Sequence, residues 1–298
     1  MKLLNRSLKK KFLIEHYKCK YGRFSKIIAK LNRNKLFVPC LEVPITTHCT
    51  LCCKECSNLI QFYSMPYHVP IDTLVESIES ICGVVNGIDC IRILGGEPFL
   101  HPDIDLLLTE IKKQHNVKNI VIVTNGTVLL HNSTLGLLAE DQRVRVSISI
   151  YPCAIENRKQ LIKQLNDYGI NYVERNVVWK AKANAKFCNK NDFELRQSFL
   201  NCPNRFFSLL NGKLFLCPRA SHGTDLGIIS SGKDEFVNCI DNNKLKEEIL
   251  QLLSRSFLTA CNYCSEDISD TLPVVPAGVQ IKRSDAEKIF QEILNNNN

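Results

Sequence analysis

Residues 41–56 read LEVPITTHCTLCCKEC, an apolar segment that runs directly into three cysteines spaced C-x-x-x-C-x-x-C. These cysteines are Cys49, Cys53 and Cys56. Three thiolates on so short a loop can ligate three irons of one cubane, whereas a [4Fe–4S] cluster has four irons to ligate. The fourth iron is then open to another ligand, as one position is in a catalytic metal site. The stretch therefore predicts a reactive iron–sulfur centre directly after a buried strand.

Three later motifs follow in a fixed order: Gly95-Gly96-Glu97-Pro98 after a predicted strand, Thr124-Asn125-Gly126 after the next, and Ser147 with Ser149 inside a third. Together with the cysteine loop they resemble the radical S-adenosylmethionine (radical SAM) enzymes, over about residues 41–199. The resemblance implies that the open iron binds the amino and carboxylate groups of SAM. It also implies that one electron from the cluster cleaves SAM to methionine and a 5′-deoxyadenosyl radical.

The same resemblance assigns these motifs to SAM. The backbone of Gly95 and Gly96, together with Glu97, is expected to receive the ammonium group, while Ser147 and Ser149 would contact the ribose or the carboxylate. Structural alternatives stay open, because Gly-Gly can form a tight strand exit, Asn-Gly is a general turn signal and buried serines can be satisfied in a core. The expected cofactor-binding residues are Gly95, Gly96, Glu97, Thr124, Asn125, Ser147 and Ser149.

One position departs from the family pattern. Family members often carry an aromatic residue before the third cysteine, near the adenine, whereas this chain has Glu55. The adenine contact is therefore expected from the backbone or from a neighbour such as Tyr63.

Strand-like and helix-like segments alternate after residue 40, which predicts an α/β fold with a parallel sheet. The predicted strands are Leu41 to Ile45, Cys90 to Leu94, Asn119 to Val123, Val144 to Ile150 and Tyr172 to Trp179. The resemblance implies a partial (β/α)6 TIM-like barrel that is open on one side, with its loops on one rim. The predicted division is a basic extension at 1–40, the barrel at 41–200, and a small α+β auxiliary-cluster domain with a C-terminal helix at 201–298.

A second cysteine set lies in the last third of the chain: Cys202, Cys217, Cys261 and Cys264. Asn211-Gly212 between two apolar runs predicts a tight hairpin that ends near Cys217. The spacing resembles the short "twitch" type of auxiliary domain, related to the longer SPASM type, which implies one fully ligated auxiliary [4Fe–4S] cluster. A four-cysteine zinc site is the structural alternative.

The implied chemistry is hydrogen abstraction from a substrate carbon, with the auxiliary cluster as electron acceptor and a net oxidation as the result. Such an oxidoreductase also needs a general base. The candidates near the predicted rim are Arg175, Glu174, Tyr63 and His68.

The substrate is open at this point. The single auxiliary cluster resembles that of enzymes that oxidise a secondary alcohol of an aminocyclitol, and residues 202–219 resemble proteins of glycan biosynthesis. A sugar-type small molecule is therefore predicted, with a peptide or protein as the alternative. A non-catalytic iron–sulfur or zinc protein is the second alternative. A flavodoxin- or ferredoxin-type electron donor is expected.

Composition agrees with an ordinary globular protein of 298 residues, 45% hydrophobic and 23% charged. The fifteen cysteines, with no export signal and no apolar run of membrane-spanning length, predict reduced thiols and a cytoplasmic location. The net charge of +8 comes from the first 40 residues, which contain twelve Lys or Arg and a single acidic residue, Glu15. This extension could bind an anionic substrate carrier, a membrane surface or an acidic partner. The structural alternative is a solvated helical segment that leads into the barrel. Nucleic-acid binding is not expected, because no reader module accompanies it.

Overall fold

A parallel sheet whose strands alternate with helices forms the centre of the molecule. The computed structural model describes residues 35–176, 178–180, 185–202, 206–264 and 274–297, so most of the predicted basic extension lies outside the described residues. The strands are β1 (Phe37–Val38), β2 (Leu41–Pro44), β3 (Gly87–Ile88), β4 (Ile91–Leu94), β5 (Ile120–Thr124), β6 (Val144–Ser149), β7 (Tyr172–Arg175), β8 (Val178–Lys180), β9 (Phe207–Leu210), β10 (Lys213–Phe215), β11 (Phe236–Asn238) and β12 (Val274–Pro276). The helices are α1 (Ile71–Val84), α2 (Ile104–Lys112), α3 (Asn132–Ala139), α4 (Ile155–Asp167), α5 (Asp192–Asn201), α6 (Pro218–Asp225), α7 (Leu245–Leu252) and α8 (Arg283–Asn297).

The main sheet has eight strands in the order β11-β10-β9-β2-β4-β5-β6-β7. Strands β9, β2, β4, β5, β6 and β7 run parallel, and β10 pairs antiparallel with both β9 and β11. The predicted α/β fold with a mostly parallel sheet is confirmed. Because parallel strands have their carboxyl ends at one edge, the loops after β2, β4 and β5 meet there.

Apolar side chains explain why these strands are central. All four residues of β2 are buried, and the inward face of α1 packs Leu74, Ile78 and Ile81 into the same core. A parallel sheet covered by helices requires strands whose residues are all buried and helices with one apolar face, and β2 and α1 have these patterns. Among the residues described, no helix combines the length and apolar character that spanning a bilayer requires.

Two details differ from the sequence-based expectation. The single strand predicted at 172–179 is two strands: β7 ends at Arg175, while β8 leaves the sheet and pairs antiparallel with β12, Trp179 opposite Val275. In addition, β9 pairs in parallel with β2, so the main sheet continues past the predicted domain boundary at residue 200. The division into barrel and auxiliary domain stays a prediction.

The predicted hairpin at Asn211-Gly212 is confirmed. Asn211 has φ 48° and Gly212 has φ 73°, so both turn residues adopt the left-handed conformation of a type I′ turn, which glycine and asparagine tolerate best. Strands β9 and β10 pair on either side, with Leu210 opposite Lys213. The hairpin brings the chain back to Cys217 at the end of β10.

Candidate metal centres and their shared cavity

The first cysteine loop follows β2 at the carboxyl edge of the sheet. Cys49, Cys53 and Cys56 all line one cavity of about 910 Å³. Backbone N–H groups point at the sulfurs: the Leu51 amide donates to Cys49 Sγ over 3.4 Å, and amides after Cys56 donate to its Sγ. The loop therefore presents three thiols on one side with donors ready to stabilise negative sulfur.

Burial changes the pKa values of the thiols in this loop. Burial raises the pKa of Cys49 and of Cys53 to about 12, and the sulfurs of the set repel one another when charged. These two thiols are therefore protonated and neutral near pH 7 when no metal is bound, and a metal that binds them has to displace their protons. Among the described residues, no three His, Cys, Asp or Glu side chains form a group that could hold a single metal ion. Three convergent thiols with amide donors fit a multi-iron cluster with one iron left without a protein ligand.

Cys52, inside the same loop, is placed differently. Its side chain is buried in the hydrophobic core and does not line the cavity. Its backbone N–H and C=O instead bond to the segment before α8, to Gln280 and Ile281.

The Gly95-Gly96 segment leaves β4 beside the cysteine loop. The Gly96 amide donates to the Thr46 carbonyl and the Glu97 amide to the His48 carbonyl, both at 2.8 Å. A Cβ atom at Gly96 would lie 2.1 Å from the His48 carbonyl oxygen. Glycine is therefore required here because two backbones pack against each other at the edge of the cavity.

Gly96→Ala is expected to lower the free energy of unfolding by about 3 kcal/mol, because the new methyl group meets backbone atoms that cannot rotate away. Urea denaturation measures this. Gly83→Ala is the matched control: it lies in α1 with nothing within 4 Å of the added Cβ, and it should stabilise by about 0.5–1 kcal/mol. Equal stability of Gly96→Ala and the parent would contradict the close approach.

Glu97 is fully buried and lies behind the cavity wall. Its carboxylate accepts hydrogen bonds from the Thr124 hydroxyl at 2.9 Å, the Asn125 amide at 2.8 Å and the Phe99 amide at 3.3 Å. Burial raises its pKa to about 7. In this structure Glu97 joins the loops after β4 and β5, so its predicted role toward an ammonium group stays a prediction.

The other predicted cofactor contacts lie around the same cavity. Gly95, Gly96, Thr124, Asn125, Ser147 and Ser149 all line it. Ser147 and Ser149 face inward together from β6, as strand alternation predicts. The Asn125 side-chain amide lies 3.6 Å from Cys49 Sγ and 3.1 Å from the Thr50 hydroxyl, so the loop after β5 contacts the cysteine loop directly.

The second cysteine set opens onto the same cavity. Cys202 follows α5, Cys217 precedes α6, and Cys261 and Cys264 lie in the turn at Thr259–Tyr263 and just after it. The first amides of α6 donate to Cys217 Sγ, and burial raises the pKa of Cys217 and of Cys261 to about 12. A metal that binds Cys217 and Cys261 would likewise have to displace their protons.

Lys190 fixes the turn that carries two of these thiols. Its ammonium donates to the carbonyls of Cys264 at 2.7 Å and Cys261 at 3.3 Å, and to the Ser198 hydroxyl at 3.0 Å. Cys188 lies next to it, exposed, with Sγ 3.9 Å from the Cys264 carbonyl oxygen. Cys153 is likewise exposed.

The four predicted base candidates are scattered. Arg175 lines the cavity, whereas Glu174 pairs with Arg158 at 3.2 Å. His68 stacks on His48 with ring centroids 4.3 Å apart, and Tyr63 is buried. The structure brings only Arg175 to the cavity, and the catalytic assignment of all four stays a prediction.

Tyr63 belongs to a buried polar network below the cysteine loop. Its hydroxyl lies 3.0 Å from His222 Nδ1 and donates to Asp225 Oδ2 at 2.9 Å, and the Tyr67 hydroxyl donates to the same carboxylate oxygen at 2.6 Å. His222 is fully buried, and burial lowers its pKa to about 4 despite nearby Asp225. The network anchors α6 to the segment after the cysteine loop.

This histidine predicts a pH dependence of stability. Between pH 6.5 and 4 the unfolded chain protonates His222 while the folded chain keeps it neutral, so stability falls as the pH falls through this window. The loss amounts to about 3 kcal/mol at most. His222→Gln keeps a hydrogen-bonding partner for Tyr63 and should lose less stability between pH 7 and pH 4 than the parent in urea titrations. Parallel curves for the two proteins would refute a neutral buried His222.

Sequence reasoning missed an aromatic pair in the cavity wall. Tyr151 and Trp179 meet edge to face with ring centroids 5.7 Å apart, and both line the cavity. The Tyr151 hydroxyl bonds to Ser149 and is close enough to the first cysteine set to interact with its charge. The available signal was the position of Tyr151, two residues after Ser149 and directly after the predicted strand Val144 to Ile150.

Comparison with known proteins gives the same assignment as the motifs. Residues 43–178 match the family model described as the radical SAM superfamily. A GTP 3′,8-cyclase of Aquifex aeolicus (strain VF5) is 27% identical over 133 residues, 43% of this chain and 40% of that protein. A GTP 3′,8-cyclase of Peptoclostridium acidaminophilum is 33% identical over 109 residues, 36% of this chain and 33% of that protein. The matches thus span well under half the length of these curated relatives.

A solved structure, native anSMEcpe with bound AdoMet and Cp18Cys peptide, superposes with a TM-score of 0.51 at 13% identity. The match covers 88% of this chain and 99% of that chain. At this identity the likeness concerns the fold alone.

Proposed function

We propose that this chain, whose residues 43–178 match the radical SAM superfamily, cleaves SAM reductively and oxidises a substrate carbon. Cys49, Cys53 and Cys56 would hold a [4Fe–4S] cluster, which supplies one electron for SAM cleavage when it is bound. The observation that carries the proposal is that these thiols, the Gly95-Gly96 segment and the two serines of β6 line one cavity.

The protein's own part is binding, orientation and exclusion of water. The Gly95-Gly96 backbone packs against the cysteine loop at the edge of the cavity, and Ser147 and Ser149 also line the cavity and offer hydroxyls to a ligand. Tyr151 and Trp179 provide aromatic surface for an adenine, in place of the Tyr63 contact expected from the sequence. Arg175 remains the one predicted base candidate in contact with the cavity.

We further propose that Cys202, Cys217, Cys261 and Cys264 hold one auxiliary [4Fe–4S] cluster in a twitch-like C-terminal region next to a partial barrel. Four thiols that face the same cavity as the first set support an acceptor role, because both centres would then border one substrate. A flavodoxin- or ferredoxin-type donor would supply the first electron.

The substrate that we propose is a sugar-type small molecule, such as an aminocyclitol. Arg175, Asn176 and Ser198 line the cavity and give it polar groups suited to hydroxyl groups. The GTP 3′,8-cyclase relatives are named for a nucleotide, which also contains a sugar. A peptide remains the alternative.

Deuterium transfer tests the function. The anaerobically reconstituted enzyme is incubated with SAM, reductant and deuterated sugars, nucleotides or peptides, and 5′-deoxyadenosine is analysed by mass spectrometry. Label from a sugar-type compound supports the proposal, and label from peptides alone favours the alternative substrate. Bound zinc, with no 5′-deoxyadenosine formed, would instead identify a structural metal protein.

A further inference from the structure

A C-terminal segment lies directly on the first cysteine loop. This strap, residues 276–282, connects β12 to α8. The Lys54 amide donates to the Val279 carbonyl at 2.8 Å, and the Ile281 amide donates to the Cys52 carbonyl at 2.9 Å. Two backbone hydrogen bonds from opposite directions fix the strap across the loop, with Gln280 opposite Cys53.

The Gln280 side chain is held in one orientation. Its Oε1 accepts from the Cys52 amide at 2.7 Å, and its Nε2 donates to the Gly278 carbonyl at 2.7 Å. The Cys52 amide can only donate and the Gly278 carbonyl can only accept, so the positions of Oε1 and Nε2 cannot be exchanged. The second N–H of Nε2 is therefore left for Cys53 Sγ, 3.1 Å away.

The strap also reaches the cavity wall. Gly278 has φ 76°, and a Cβ atom there would lie 2.7 Å from the ring of Tyr151. The turn that carries Gln280 is thus packed between the cysteine loop and an aromatic side chain, which limits its movement.

We propose that Gln280 is a positioning residue that donates a hydrogen bond to the Cys53 thiolate and thereby raises the reduction potential of the cluster at the first cysteine set. The inference rests on the proposed function, since it needs a cluster there. When the cluster takes one electron from the flavodoxin- or ferredoxin-type donor, negative charge on its sulfurs increases. A hydrogen bond to sulfur stabilises the reduced state more than the oxidised state.

The test is an electron paramagnetic resonance redox titration of the reconstituted full chain, following the signal that changes when SAM is added. Gln280→Leu removes the donor, and the ratio of reduced to oxidised cluster at a fixed potential should fall about three- to tenfold, tenfold being 59 mV for one electron. Gln280→Glu keeps an acceptor for the Cys52 amide while removing the donor and adding charge, so its shift should be at least as large. Val279→Ala, on the same strap, should leave the potential unchanged.

A Gln280→Leu protein with the parent's potential overturns the inference while the proposed function stands. If Gln280→Leu does not assemble the cluster, the reduction potential of Gln280→Glu is compared with that of the parent instead, and equal potentials again overturn the inference. A parent protein that binds no iron at Cys49, Cys53 and Cys56 defeats the proposed function and this inference together. Iron content and potential therefore separate the two failures.

Discussion

Replacing Cys53 by alanine is expected to abolish SAM cleavage and to lower the iron content from about eight to about four per chain. Two thiols and an empty position cannot hold three irons of a cubane, so no electron reaches SAM. Cys49→Ala and Cys56→Ala should behave alike, because all three sulfurs face the same cavity. The measurements are iron and sulfide analysis after anaerobic reconstitution, and 5′-deoxyadenosine formation with dithionite.

Cys52→Ala is the matched control for these variants. Its thiol is next to Cys53 in the sequence but is buried in the hydrophobic core, so it should keep both the iron and the cleavage activity. A Cys53→Ala protein with full iron and undiminished 5′-deoxyadenosine would disprove the assignment of the first set. So would loss of cleavage in Cys52→Ala without loss of folding.

Replacing Cys217 by alanine is expected to separate SAM cleavage from substrate oxidation. The first set is untouched, so 5′-deoxyadenosine still forms, while iron falls by about four atoms and oxidised product falls about 100-fold or more. The reason is that a substrate radical without an electron acceptor cannot complete a two-electron oxidation. Product and 5′-deoxyadenosine are quantified in the same reaction by mass spectrometry.

Cys239→Ala controls for the loss of a buried thiol in the same part of the chain, because Cys239 is fully buried and does not line the cavity. It should keep the iron and the ratio of product to 5′-deoxyadenosine. Zinc bound to the second set in place of iron, or normal product formation by Cys217→Ala, would reject an auxiliary cluster.

Local patterns predicted much of the fold. The strands β2, β4, β5 and β6 follow from apolar runs, and the β9–β10 hairpin follows from Asn211-Gly212, because a few neighbouring residues determine each of them. The placement of the three-cysteine loop beside Gly95-Gly96 follows from the shared edge of a parallel sheet.

Contacts between distant parts of the chain could not be predicted in this way. Gln280 meets Cys53 across 227 residues, and nothing in either local sequence indicates the partner. Tyr63 was expected near a cofactor because of its nearness to Cys56, yet tertiary packing buries it against His222 and Asp225. The departure of β8 from the main sheet likewise depends on β12, about a hundred residues later.

The backbone ladder between β2 and β9 has a mechanical consequence. Phe207 and Ser208 are in register with Leu41 and Glu42, so the segments leading to the first cysteine set and to Cys217 belong to one hydrogen-bonded sheet. Moving the first cysteine loop relative to Cys217 would require breaking backbone hydrogen bonds rather than bending a linker. The distance between these two thiol positions is therefore set by the stiffness of the sheet and does not depend on a hinge.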